Sequence, residues 1–310
     1  MAHAGSQTAE AGSGSRRLQG YLEAGGSSAV LGSIGALVSL STMPTGLLLV
    51  SRMVVGGAAL APVMHRRRAW GELTRRDVRL PLLAVGALIA VELIVFFTAV
   101  RLAGVAIPIF LAYMAPLYVA VAAPILFRQT VDRVVYAALA LGLAGMALVV
   151  LPGVTVSASP ETIAGVALGI LAGILFAADL LVIKRLKGRA ASTTIVFVQC
   201  VVTVLIMLPV AVAQTWGAGY ALTSTDVWAV LFLGLVDTAV CATVFTHGVQ
   251  TVRVEHASIL GYVEPLTAPL FAFALLGERP GLTTIAGGCF IVAAGVLVVA
   301  LGRGEAEPYL

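Results

Sequence analysis

Arg52, Glu92, Asp237 and Glu264 each interrupt a long apolar stretch of this 310-residue chain. Their types are complementary, one guanidinium and three carboxyls. A guanidinium forks onto a carboxylate while an acid receives an ammonium group, so Arg52 with Glu264 could orient a zwitterion. A buried acid could also carry a coupling proton. A bridge between Arg52 and Glu264 that only locks two helices together is the competing structural explanation, and residue types alone leave both open. At about 1.5 Å of rise per residue, Glu92 and Asp237 fall near the midplane of their stretches, and Arg52 and Glu264 come out about 7 Å apart in depth. An ionisable group at such depth costs about 2.5–3.5 kcal/mol on insertion scales and faces a cavity or a partner. Asp179 and Glu23 stand nearer the ends of their stretches, where solvated snorkelling is expected. His247 reads as interfacial. Cys200, Cys241 and Cys289 have no CxxC spacing and read as small buried hydrophobes. No metal set and no cofactor is expected.

The elements that must hold these groups are membrane helices. The chain is 60% hydrophobic and 11% charged, with a mean hydropathy of +1.03. A soluble domain runs near ~45–50% apolar and ~25% charged, so water is not the solvent for most of this surface. Apolar segments fall at roughly 22–41, 44–64, 81–100, 104–126, 132–151, 162–183, 193–213, 227–247, 256–276 and 282–301, each near the ~20 residues that cross a bilayer. The first is the weakest, carrying Gly25, Gly26, Ser27, Ser28, Gly32, Ser33, Gly35 and Ser39. It is expected to line a cavity or pack closely rather than face lipid. Residues 1–20, polar and rich in Ala, Gly and Ser, are expected to be a disordered cytoplasmic N-terminus, and 303–310 a cytoplasmic tail.

Lys and Arg collect on the cytoplasmic side of membrane proteins. With ten spans and both termini inside, sixteen of the nineteen Lys and Arg residues fall in or beside the inner connections. Only Arg101 and Arg279 fall outside, and Arg52 lies within a span. The net charge of +4 is spread through these short runs. It forms no basic face with interleaved aromatics, so no nucleic-acid partner is expected.

The chain repeats. Leu111-Ala-Tyr113-Met-Ala-Pro116-Leu117 matches Leu260-Gly-Tyr262-Val-Glu264-Pro265-Leu266 at a spacing of 149 residues. Ala144-Gly145 lines up, with one gap, with Ala294-Gly295. Arg52 stands ten residues before Pro62, as Gln199 stands ten before Pro209. Five spans per half is an odd number, so the second copy crosses in the opposite sense. Inverted repeats of this kind place a midplane site between the halves and alternate its access by rocking. The expected fold is all-α, with ten transmembrane helices as two inverted five-helix repeats, 21–151 and 162–302. The candidate substrate-binding set is Arg52, Glu92, Tyr113, Gln199, Asp237, Tyr262 and Glu264. Pro116 and Pro265 are candidate gating residues, since each frees a backbone carbonyl that needs a partner or a wet cavity. Gly165-x-x-x-Gly169-x-x-x-Gly173 permits close helix approach, within one bundle or across a dimer contact.

His256-Ala-Ser-Ile-Leu-Gly-Tyr-Val-Glu264-Pro265, then Leu276-Gly277-Glu278-Arg279, Gly287-Gly288 and Gly295, resembles the second repeat of EamA-type carriers in the drug/metabolite transporter superfamily. The first half is more loosely similar, reading Phe127-Arg128-Gln129 where that domain usually has Gly-Glu-Arg. The likeness covers roughly 30–302. It implies cytoplasmic termini in the cell membrane and transport of amino acids, other metabolites or drugs, often outward.

No G-x-x-x-x-G-K-[ST], H-E-x-x-H or G-x-S-x-G run occurs, which removes a P-loop and the common hydrolase motifs. Transport is then driven by proton coupling or exchange, or is passive. The leading reading is a secondary carrier, not an enzyme, that exports small polar metabolites, amino acids first. A multidrug efflux carrier of the same fold is the alternative. An integral enzyme acting on lipid would need carboxylates clustered near one interface, which the scattered depths of Glu92, Asp237 and Glu264 oppose. The partners are a small-molecule substrate and the bilayer, with the chain a monomer or a homodimer.

Overall fold

The computed structural model describes residues 2–128, 130–152, 159–216 and 220–302, with side chains from Ser15 onward. The tail at 303–310 and Gln129 of the Phe127-Arg128-Gln129 departure lie outside the described residues. The protein is an all-α membrane protein. Among the described residues, nine helices are long and apolar enough to span a bilayer: Thr45–Arg66, Arg76–Ala103, Ala106–Phe127, Arg133–Val150, Pro160–Arg185, Ser192–Thr215, Ser224–Thr251, Val254–Leu276 and Leu282–Leu301. They are the second to tenth spans. The first is supplied by Ala2–Leu31 and Ser33–Leu40, whose glycines, serines and break at Gly32 keep it from being a simple apolar rod. Its helix starts at Ala2 and so runs through the segment that the sequence reading takes as disordered. Ala2, Ala4, Ala9 and Ala11 favour helix, and no proline interrupts them.

The ends of the bundle sort the connections into two sets. At one end, Arg75 donates to the Arg189 carbonyl (3.2 Å), the Ala191 N–H to Glu72 (2.9 Å) and Gln250 to the Ala190 carbonyl (3.2 Å). Arg253 donates to the Thr130 carbonyl (2.8 Å) and Arg17 to the Gly302 carbonyl (3.0 Å). At the other end, the Thr42 N–H donates to Asp226 (2.8 Å) and the Gly46 N–H to Gln214 (2.8 Å). Alternate connections therefore lie together, as ten successive crossings require. The first end carries the Lys and Arg runs.

Glycines set the helix crossings and reveal the inversion. A Cβ on Gly145 of the fifth span would lie 2.6 Å from the Gly287 carbonyl oxygen and 2.9 Å from Phe290 and Ile291. One on Gly287 would lie 2.5 Å from the Gly145 oxygen and 2.8 Å from Val149. As numbers rise in the fifth span they fall in the tenth, so these equivalent helices run antiparallel with their backbones in contact. The second and seventh spans behave alike, with Gly46 against Ala211 and Gly57 against Cys200. Cross-pairing obeys the same symmetry: the first span packs on the eighth, and the third on the sixth. Two five-helix halves are thus related by inversion.

Both halves break the same helix. The fourth span stops at Ala112 and restarts at Ala115, and the ninth stops at Leu260 and restarts at Val263. Each break holds its tyrosine, with tighter i→i−3 bonds from Met114 N–H to the Leu111 carbonyl and from Tyr262 N–H to the Ile259 carbonyl (3.1 and 3.0 Å). Pro116 and Pro265 follow within the next turn, lacking the N–H that would continue the ladder. Gly173 closes on the Leu111 and Ala112 carbonyls, Gly169 on Leu111 and Gly165 on Ala103. The glycine stripe of the sixth span therefore serves packing within the bundle.

Candidate functional site

A cavity of about 180 Å³ lies where the first, third, fourth, sixth, seventh, eighth and ninth spans converge. Its wall is mostly apolar. The polar exceptions are Tyr113, Asp179, Gln199, Glu264 and three hydroxyls, Ser28, Thr246 and Ser258, and Pro116 lies in the wall beside Tyr113. The broken fourth and ninth helices present Tyr113 and Glu264 to each other, close enough for the phenol and the carboxyl to interact. Asp179 is 4% exposed and accepts two hydrogen bonds from the Gln199 amide, 3.1 and 3.2 Å to its two oxygens. Ser28 is 1% exposed, and its hydroxyl has no hydrogen-bond partner.

Arg52 stands beside this hollow, not in its lining. Its helix crosses the eighth span where Gly234 meets Val55 and the Arg52 carbonyl, and Gly56 meets Thr238. There the eighth span winds as a π-helix from Leu233 to Ala242, a form concentrated at functional sites. The wider turn carries Asp237, 1% exposed, which accepts long hydrogen bonds of 3.3 and 3.4 Å from Ser33. The Arg52 guanidinium interacts electrostatically with Asp237, Glu264 and Glu92, Asp237 foremost. It makes no ion pair within 4.0 Å among the described residues, and its Nε is buried without a partner. No Arg52–Glu264 bridge locks the helices. Glu92, half-buried on the third span, lies within electrostatic reach of Asp179, Arg52 and Glu264.

Of the sequence-predicted set, the structure brings Tyr113, Gln199, Glu264 and Pro116 into one wall, and Arg52, Glu92 and Asp237 around them. Tyr262 and Pro265 lie elsewhere. Tyr262 is 1% exposed, its ring covers Gly142 of the fifth span, and its hydroxyl is buried without a partner. Glu264, two residues on, takes the place at the cavity that Tyr113 holds in the first half. Asp179 corrects the snorkelling expectation, since it is buried and bonded rather than solvated. It lies six residues, about 9 Å, inside the Arg185 end of its helix, and that depth was the available signal. Ser28 gave none beyond the Gly/Ser character of its span. Glu23 is not left to water either, because it pairs with His247. A separate hollow of about 290 Å³ between Met53, Gly57, Cys200 and Val204 has an almost wholly apolar wall and offers nothing to a polar cargo.

The sequence pattern of the EamA-like transporter family matches residues 163–300. An uncharacterized transporter from Archaeoglobus fulgidus is 30% identical over 271 residues, covering 85% of this chain and 94% of its own. The chain belongs to the EamA-like transporter family. The pseudopaline exporter CntI of Pseudomonas aeruginosa is 25% identical over 271 residues, 85% of this chain and 88% of its own. A crystal structure of a protein 18% identical in sequence superposes with a TM-score of 0.78, covering 93% of this chain and 99% of the other. That likeness shows the fold.

In this EamA-like transporter, polar clusters tie the helices together at both ends of the bundle. At the basic end, Lys184 donates to the Gln250 carbonyl (3.2 Å) and to that of Val252, Arg253 pairs with Glu255 (2.9 Å), and Tyr21 shares a 2.8 Å hydrogen bond with His256. At the opposite end, Asp226 is 0% exposed and gathers Ser41 (2.8 Å), the Thr42 N–H (2.8 Å), Tyr220 (2.6 Å) and Thr223 (2.6 Å). It also forms a capping box with Thr223 at the start of the eighth span. Asp226→Asn keeps the shape but weakens charge-assisted bonds to several donors. A loss of about 2 kcal/mol is expected, read as a lower melting temperature of the detergent-purified protein, with the helical signal retained below it.

Proposed function

We propose that this chain is a secondary carrier of the cell membrane that moves small polar metabolites, amino acids first among them, outward by alternating access at the cavity between its halves. The observation that carries the reading is the cavity wall. Acid, amide, phenol and hydroxyl groups from both repeats meet in a mostly apolar wall, beside a guanidinium with no ion-pair partner among the described residues. Polar groups at this depth are expensive unless cargo or partners use them. The paired breaks at Tyr113 and Tyr262 supply hinges, with Pro116 and Pro265 as their pivots, and the polar clusters at the two ends supply gates. Both termini lie in the cytoplasm, on the side of the basic connections. The repeats span 21–151 and 162–302. Outward direction is supported by a relative whose name is that of an exporter, and a proton or an exchanged solute supplies the drive.

The test is flux in proteoliposomes containing the purified chain, with a panel of labelled amino acids and with and without an imposed pH gradient. Saturable movement of at least one amino acid, absent from empty liposomes, is the expected result. Movement of planar aromatic dyes with no amino-acid flux would favour the multidrug alternative and sink this one.

A further inference from the structure

Resting on the carrier reading above, we infer that the cavity contains a seat for a substrate ammonium group, built from Asp179, Gln199 and Ser28. The seat makes the carrier select compounds bearing a net positive charge, basic amino acids and short diamines, over plain zwitterions.

The lining gives the reason. Its two charged groups are both carboxyls, Asp179 and Glu264, and its neutral polar members are an amide, a phenol and hydroxyls. Glu92 stands within electrostatic reach of both acids, while Arg52 lies outside the wall. Three acids therefore face or flank the space, against one guanidinium on which Asp237 acts more strongly than Glu264 does. Cargo entering this space meets more acidic than basic groups, so a second ammonium finds an acceptor where a second carboxylate finds no matching donor.

Asp179 is the acid prepared for this. Both its oxygens accept from one Gln199 nitrogen, which fixes the carboxyl's orientation yet leaves acceptor capacity at each oxygen. Elsewhere in the same wall stands the Ser28 hydroxyl, buried and without a hydrogen-bond partner among the described residues. A buried hydroxyl left unmatched is costly, and an ammonium N–H entering the cavity would satisfy it. Three donors on a tetrahedral nitrogen suit an arrangement of two carboxyl oxygens and a hydroxyl. Glu264 with Tyr113 then receives the second positive group. Phe176 and Phe245, also in the wall, cover the methylene chain between.

The experiment compares uptake of labelled lysine, 1,4-diaminobutane, leucine and glutamate by proteoliposomes containing wild type, Asp179→Asn or Ser28→Ala, each first shown to be monodisperse in detergent. In wild type, lysine and diaminobutane should be preferred over leucine by about tenfold or more, with glutamate excluded. Asp179→Asn should abolish that preference, lowering lysine uptake about tenfold or more and leucine uptake by much less. Removing a charge-assisted bond has that scale. Ser28→Ala, which removes a hydroxyl with no hydrogen-bond partner among the described residues, should raise the KM for lysine several-fold at unchanged maximal rate. A merely structural Asp179 would lower all fluxes in proportion, and that result overturns the seat. Leucine moving as well as lysine in wild type overturns it too, yet leaves the amino-acid carrier standing. Movement of none of the four overturns both.

Discussion

Proteoliposomes bearing Arg52→Ala should move amino acids at least about 100-fold more slowly than wild type, with the protein still monodisperse and fully helical. The expectation comes from what Arg52 does not do. Among the described residues it makes no ion pair, and its Nε lacks a hydrogen-bond partner, so its removal breaks no bridge on which the helix packing depends. What disappears is the cation among Asp237, Glu264 and Glu92, and with it the fork that would hold a substrate carboxylate. Arg52→Lys retains the charge but not the planar pair of donors. It should recover part of the flux and remain about tenfold below wild type. Diaminobutane, which has no carboxylate, separates anchoring from general damage, because its uptake should survive Arg52→Ala far better than lysine uptake does. Normal lysine flux in a folded Arg52→Ala protein would remove the anchor role.

Gly287→Leu should leave little folded protein. A Cβ there already falls 2.5 Å from the Gly145 carbonyl oxygen and 2.8 Å from Val149, and backbone on a facing helix cannot turn aside as a flexible side chain does. Forcing the tenth span from the fifth costs about 3 kcal/mol or more, a large share of the stability of a protein this size. Gly145→Leu should do the same from the opposite side. Gly35→Ala is the control: a Cβ there meets nothing within 4 Å, and its melting temperature should match wild type. Size-exclusion profiles in mild detergent would separate the three. A monodisperse Gly287→Leu protein would show that the crossing tolerates distance.

The architecture was legible because its signals are coarse and repeated. Ten apolar stretches, the bias of Lys and Arg, and the paired Tyr-x-x-Pro motifs yield ten crossings in two inverted halves, and the fold agrees. The glycine pair at Gly145 and Gly287 was half visible: sequence alignment matched Gly145 to Gly295, whereas the contact partner is Gly287, eight residues earlier. Inversion explains the difference, since antiparallel helices meet at positions that equivalence does not name. The site was less legible. Tyr113 and Tyr262 are the same residue in the repeat, yet one faces Glu264 at the cavity and the other covers Gly142, because a one-residue change in where a broken helix restarts turns a side chain by about 100°. Asp179 and Gln199 lie twenty residues apart on neighbouring spans, and nothing in a linear chain announces that an acid and an amide will meet. Ser28 became recognisable only through its burial without a partner, a property of three-dimensional surroundings.

The pairing of each helix with one from the opposite half also governs how the chain can be made. The ribosome delivers spans one to five first, yet the first awaits the eighth, the second the seventh, the third the sixth and the fifth the tenth. Until those arrive, the tight glycine surfaces and the polar groups of Arg52, Glu92 and Ser28 have lipid or insertion machinery for company. Early spans must therefore be threaded into the bilayer as loosely held strangers. The fifth span finds its partner only when the tenth arrives, and a chain cut short before it would be left an unfinished half-shell, open to membrane quality control.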